Sequence, residues 1–201
     1  MLLLPGGTSD SFSRVRAFDP AVLRMFPFGR SVVRAGKGRI ALATLRYSVR
    51  GWNGDQESPL PDARWALDRI AQLFGDLPIG LIGHSMGGRV ALRVADHVGG
   101  QANGVRSVAA LAPWLPLGEA IQALDHQSLL LAHGTADRIT DPGRTFELAE
   151  SLAADGIDVE LVRFPGARHA MLLPARPWHD LAADFMVRTL LAPAQDDPTA
   201  H

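Results

Sequence analysis

The apolar positions of this chain fall into short unbroken runs, separated by longer stretches in which they recur every three to four residues. Runs at 1–4, 40–45, 79–82, 105–111, 128–132 and 159–164 have the length of β-strands. Several are apolar at nearly every position, which predicts strands covered on both faces, as in a mainly parallel sheet. Helical patterns fill the intervals. One starts at Pro61-Asp62-Ala63-Arg64, runs through Ala66, Leu67, Ile70, Ala71 and Leu73, and closes near Gly75. A second runs from about Met86 to His97, with Val90, Ala91, Val94 and Ala95 on one face and Gly99-Gly100 after it. A third follows Asp141-Pro142 and ends before Gly156; a fourth runs from about Trp178 to Leu191. Strands alternating with helices predict an α/β fold of βα units.

The segments 47–60, 112–127 and 165–174 read as loops. In the first, Arg50-Gly51-Trp52-Asn53-Gly54 suits a turn-rich surface segment. Residues 1–191 are expected to form one domain. The tail 192–201, with two prolines, two aspartates and no apolar period, is expected to be disordered.

Composition narrows the chemistry. The 201 residues fit one domain, and 47% hydrophobic with 20% charged residues matches a soluble globular protein. No cysteine is present, which excludes disulfides, thiol catalysis and cysteine-ligated metals and agrees with a reducing compartment. The net charge of -1, from Lys+Arg 20 against Asp+Glu 21, lacks the basic surplus of a nucleic-acid binder. The start has no basic n-region, and no stretch approaches the roughly 18 apolar residues of a membrane span. The expected location is the cytoplasm, and the expected partner is a small molecule, with no nucleic acid and no membrane span.

One segment carries specific chemistry. Gly83-His84-Ser85-Met86-Gly87 joins an apolar strand to a helical pattern through G-x-S-x-G. A serine on a very tight strand-to-helix turn projects its hydroxyl above the sheet. The positions two before and two after it must be small, because the turn brings them against neighbouring backbone. The following helix points its first N–H groups at the site, where they favour developing negative charge.

Gly83-His84-Ser85-Met86-Gly87-Gly88 resembles the nucleophile elbow of the α/β-hydrolase superfamily, and the likeness extends over nearly the whole chain. Ser85 is then the nucleophile, and a base must take its proton. Of the 7 histidines, His84 sits on the turn and is expected to point elsewhere, His97 ends a helix and His201 lies in the tail. His133 follows a strand directly, while His126 and His179 have no motif around them. His169, in Pro165-Gly166-Ala167-Arg168-His169, resembles the family's G-x-x-H loop and is the expected base. His133-Gly134-Thr135-Ala136-Asp137 resembles the family's H-G-x-x-D segment and makes Asp137 the expected acid. Asp141 is a rival four residues later, although its place before Pro142 also suits a helix cap. The order Ser85, Asp137, His169 is that of an α/β-hydrolase triad. The oxyanion donors are expected to be the Met86 N–H and, from Pro5-Gly6-Gly7-Thr8, the Thr8 N–H with Gly7 second.

The resemblance further implies a compact fold with strand order 2-1-3-4-5-6 and a crevice at the switch point. Many relatives insert a helical cap after the fourth of these strands, but the interval beginning Pro113-Trp114-Leu115 is too short for a full cap domain. An open cleft is expected, lined in part by Trp114 and Leu115, with Trp52 contributing. No metal or organic cofactor is needed. The expected reaction is hydrolysis of a small or medium carboxylic ester through an acyl-enzyme. Thioesterase, acyltransferase or perhydrolase chemistry would use the same residues, and a non-catalytic scaffold is the alternative of another class. A serine nucleophile argues against dehalogenase and epoxide-hydrolase activities.

Overall fold

In the computed structural model, six strands form one sheet: β1 (Leu2–Leu4), β2 (Ala43–Thr44), β3 (Ile79–His84), β4 (Val105–Leu111), β5 (Ser128–Gly134) and β6 (Val159–Phe164). Their order is β2-β1-β3-β4-β5-β6, and every neighbouring pair is parallel. The structure describes residues 1–98, 104–119, 121, 124, 126–171 and 174–191. The tail 192–201, expected to be disordered, lies outside the described residues, as do the glycine pair 99–100 and parts of the loops 112–127 and 165–174.

Five helices cover the two faces: α1 (Pro20–Ala35), α2 (Pro59–Phe74), α3 (Met86–Val98), α4 (Pro142–Ala154) and α5 (Arg176–Leu190). Helices α2, α3 and α4 pack on one core with Leu2, Leu4, Leu81, Val108, Leu129 and Leu131. Helices α1 and α5 pack on the other with Leu3, Ile82, Ala109, Leu111, Leu130 and Ala132. Successive residues of the inner strands feed opposite cores, so those strands are apolar at nearly every position. That is why the runs in the sequence are continuous.

Three expectations change. The edge strand β2 pairs over two residues, Ala43 and Thr44, rather than across 40–45. Ile40 is instead buried under α1, and Leu42 packs against Gly29 of that helix. Helix α1 carries Pro27 in its interior and exposes Leu23 and Phe26, which blurs its period in the sequence. Its start is conventional: Asp19 accepts from the Ala21 N–H at 3.1 Å, and Pro20 occupies the first turn. The stripe Val22, Met25, Phe28, Gly29 and Val32 is buried against the sheet and α5.

The third change concerns the segment around Gly51. It is not a surface turn, since Trp52 and Asn53 are buried. Residues 8–14 run beside it through the bridges Thr8–Gly51 and Arg14–Val49, and the Asn53 side chain accepts from the Ser11 N–H at 2.8 Å. This ribbon sits beyond the carboxyl end of β1, beside the crevice where β1 and β3 diverge. No helix among the described residues is long and apolar enough to cross a membrane.

Candidate active site

Strand β3 ends at His84 and α3 begins at Met86, so Ser85 is the entire connection between them. It adopts φ 57, a left-handed conformation that non-glycine residues rarely hold. The two glycines of the motif make this turn possible. A Cβ on Gly83 would strike the Gly87 backbone, and one on Gly87 would strike the carbonyls of Leu4 and Pro5. Backbone bonds then fix the serine. Its N–H donates to the Leu111 carbonyl at 3.0 Å, and its carbonyl accepts from Gly88, Arg89 and Trp114 at 3.0, 3.2 and 3.0 Å.

The Ser85 hydroxyl is 3.0 Å from His169 Nε2, and His169 Nδ1 is 2.8 Å from Asp137 Oδ2. The connections following β3, β5 and β6 bring these groups together at the carboxyl ends of the strands. With the carboxylate ionised, Nδ1–H must donate to Asp137, leaving the Nε2 lone pair for the serine proton. Asp141 is not part of this line. It caps α4, accepting from the Gly143 N–H at 2.8 Å.

The Asp137 carboxylate is held by five donors. Oδ1 accepts from the N–H groups of Ile139 and Thr140 at 2.8 and 3.1 Å. Oδ2 accepts from His169, from the Thr140 hydroxyl at 2.9 Å, and from His133 Nε2 at 3.1 Å. Burial works to raise the pKa of this carboxyl. The Ile139 N–H, His169 and the Thr140 N–H outweigh it and hold the group below its ordinary value.

Two further histidines flank the site, neither of them expected there. His84 points its Nε2–H at the His169 carbonyl, 2.9 Å away, and its ring lies 4.8 Å from the His169 ring. Burial, with the neighbouring His169 second, pushes its pKa down to about 3, so it is neutral and a donor at physiological pH. Arg24 of α1 donates to the next carbonyl, that of Ala170, at 3.3 Å. Consecutive carbonyls of the histidine loop are thereby held from two directions. His133, fully buried, has its pKa lowered first by burial, against the opposing pull of Asp137. Its position in H-G-x-x-D was visible in the sequence; its contact with the carboxylate was not.

Among the expected oxyanion donors, Met86 is the first residue of α3, where an N–H has no partner within the helix. The Thr8 N–H is committed to the Arg50 carbonyl at 3.1 Å. That commitment turns the expectation toward Gly7, whose backbone lies against Arg50 and the Met86 side chain. The expected wall residues separate. Trp52 and Leu115 are buried in packing, whereas Trp114 is partly exposed. The Arg89 guanidinium lies 3.6 Å over the Trp52 ring and 5.1 Å from that of Trp114. It also forms a nearly buried ion pair with Glu119 at 2.8 Å. A shallow depression of about 320 Å³ adjoins His169, lined by Ala136, Arg138, Ile139, Arg168 and Ala170. A second hollow of about 300 Å³, between Ile40, Phe74 and Leu190, contains none of these residues.

Comparison with known proteins gives the family and the fold. The sequence profile of the dienelactone hydrolase family matches residues 54–189, and the chain belongs to that family. No curated protein sequence matches it. Among solved structures, it is similar to an α/β-hydrolase candidate of unknown function from Agrobacterium tumefaciens, with a TM-score of 0.71 and 16% identity, covering 93% of this chain and 83% of that one. It is also similar to a lidless α/β serine hydrolase from Xanthomonas campestris, with a TM-score of 0.68 and 20% identity over 96% and 84% of the two chains. The carboxylesterase of Bacillus cereus gives 0.60 and 20%, over 90% and 88%. At these identities the structural likeness speaks to the fold, which is that of an α/β hydrolase. The family assignment makes the chain a hydrolase.

Proposed function

We propose that the protein hydrolyses carboxylic esters of small or medium acyl groups through an acyl-enzyme on Ser85. The observation that carries this reading is the continuous line from the Ser85 hydroxyl through His169 to Asp137, at 3.0 and 2.8 Å. Ser85 Oγ attacks the ester carbonyl while His169 Nε2 takes its proton. Negative charge moves to the carbonyl oxygen, facing the N–H groups of Met86 and Gly7. The bond to the alcohol oxygen breaks, and that oxygen leaves with the proton from His169. Water then gives a proton to His169 and attacks the acyl carbon; the acid departs and the proton returns to Ser85. Asp137 stays ionised throughout and steadies the imidazolium.

We take the cleft to be open and of low selectivity; a depression adjoins His169, and the partly exposed Trp114 is the remaining candidate wall. A fluorophosphonate probe tests the nucleophile without a guess about substrate. The expected result is an adduct on Ser85, absent in Ser85→Ala and strongly slowed in His169→Ala. A well-folded wild type that takes up no probe would bring the non-catalytic scaffold forward. Turnover of matched oxygen esters and thioesters then separates esterase from thioesterase.

A further inference from the structure

We propose that His133 is a positioning residue of the site, holding Asp137 oriented and ionised through the carboxylate oxygen that faces His169. This rests on reading Ser85, His169 and Asp137 as a triad. Asp137 Oδ2 lies between two imidazoles, with His169 Nδ1 at 2.8 Å and His133 Nε2 at 3.1 Å. A carboxylate can only accept, so both ring nitrogens must carry their protons toward it. In a neutral His133 this leaves Nδ1 as an acceptor, and the Thr145 hydroxyl of α4 stands 2.7 Å from it. The direction of every bond follows: Thr145 donates to His133, and His133 donates to Asp137.

The surroundings supply that neutrality. The His133 side chain is fully buried, with the Phe146 ring set edge-on at 6.4 Å and the Arg163 guanidinium 4.6 Å over that ring. The charged and titratable groups acting on it are Asp137, His169 and, from the cap of α4, Asp141. Thr140 Oγ1 closes the cluster, 3.2 Å from His133 Nε2 and 3.1 Å from His169 Nδ1.

Two effects on the reaction follow. A carboxylate gripped at both oxygens cannot rotate away when His169 takes the serine proton. An oxygen that already accepts from His133 and Thr140 is also a weaker base. It therefore stabilises the imidazolium without drawing off its proton.

The test is the rate of fluorophosphonate labelling at Ser85 against pH, for wild type, His133→Phe, His133→Gln and Thr145→Val. His133→Phe is expected to label roughly ten- to hundredfold more slowly, the worth of one hydrogen bond to a charged group. The acidic limb of its profile should move to higher pH, because Asp137 with one donor fewer holds a proton on the triad more strongly. His133→Gln retains an N–H donor and should recover most of the rate and the original limb. Thr145→Val frees His133 to turn its lone pair toward Asp137, and should move the limb in the same direction by less.

His133→Phe labelling at the wild-type rate would overturn the proposal. Equal slowing in the Phe and Gln variants with an unmoved limb would also overturn it, because that marks a merely structural role. If His133→Phe does not fold, an unmoved limb in Thr145→Val overturns the proposal and a shifted one supports it. A wild type that does not label at all is a different outcome, and removes the triad reading itself.

Discussion

The two halves of the crevice are built from different materials. On the side of the proposed nucleophile, Ser85 is held almost wholly by backbone: one bond from its N–H, three to its carbonyl, and two glycines packed against neighbouring main chain. On the acid–base side, Asp137 and His169 are held largely by side chains, with His133, Thr140, His84 and Arg24 arriving from β5, the following loop, β3 and α1. Backbone contacts do not titrate. Side-chain networks do, and here they depend on an ionised Asp137 and on neutral His84 and His133. The nucleophile side should therefore fail by sterics, and the acid–base side by protonation or the loss of a single hydrogen bond.

The sharpest separation should come from Asp137→Asn. An amide can present an N–H where the carboxylate accepts, which favours the wrong tautomer of His169. Labelling of Ser85 is expected to fall by about 10⁴-fold with the fold retained by circular dichroism. A fall of less than about tenfold would remove Asp137 from its role. Gly87→Ala is the counterpart on the other side. Its Cβ meets the Leu4 and Pro5 carbonyls, with no flexible side chain to give way. Urea unfolding should show a loss of about 3 kcal/mol, and labelling should fall in parallel.

Acid should distinguish the halves further. Below about pH 6.5 the unfolded chain protonates at His84 and His133 while the folded protein does not, so stability falls as pH falls. Each histidine contributes up to about 1.4 kcal/mol per pH unit, and for His84 the fall continues down to about 3. Asp137 acts in the same direction at lower pH. Its stabilisation is complete above the ordinary carboxyl range and is lost as pH drops through its depressed value. Urea midpoints at about pH 7 and pH 5 should therefore lie closer together in His84→Gln than in wild type. An identical spread would mean that His84 is not held neutral. The smallest effect belongs to Gly6→Ala. The added Cβ would lie 3.4 Å from the His84 carbonyl oxygen and Ser85 Cβ, an ordinary contact. Stability should change by no more than about 0.5 kcal/mol. A loss as large as that of Gly87→Ala would show that steric constraint extends into the loop after β1.

The same division explains how far the chain could be read. The elbow was legible because its requirement is local: strand, tight turn and helix are consecutive, and Gly83 and Gly87 declare the close approach of backbone. Strands β3 to β5 were legible because burial on both faces demands nearly unbroken apolar runs, whereas the edge strand β6 is only partly buried and carries Glu160 and Arg163. Helix α1 is not legible in the sequence, since Pro27 and the exposed Leu23 and Phe26 obscure a buried stripe that becomes plain against α5. Trp52 reads in the sequence as part of a surface turn, yet it is buried. Its burial depends on Arg89 of α3 and Trp114, both distant in sequence.

By itself, then, the sequence determined the alternation of strands and helices, the turn at Ser85, and the order in which serine, aspartate and histidine follow the strand ends. Each of these depends on neighbours within a few residues or on the periodicity of burial. The tertiary structure alone decided that Thr8 spends its N–H on Arg50, that His84 and Arg24 grip the histidine loop, and that a second imidazole shares the Asp137 carboxylate. Those are matters of distance and direction between side chains brought together from separate elements. Hydrogen bonds of this kind leave no period in a chain, because their donors and acceptors become neighbours only after the sheet has formed.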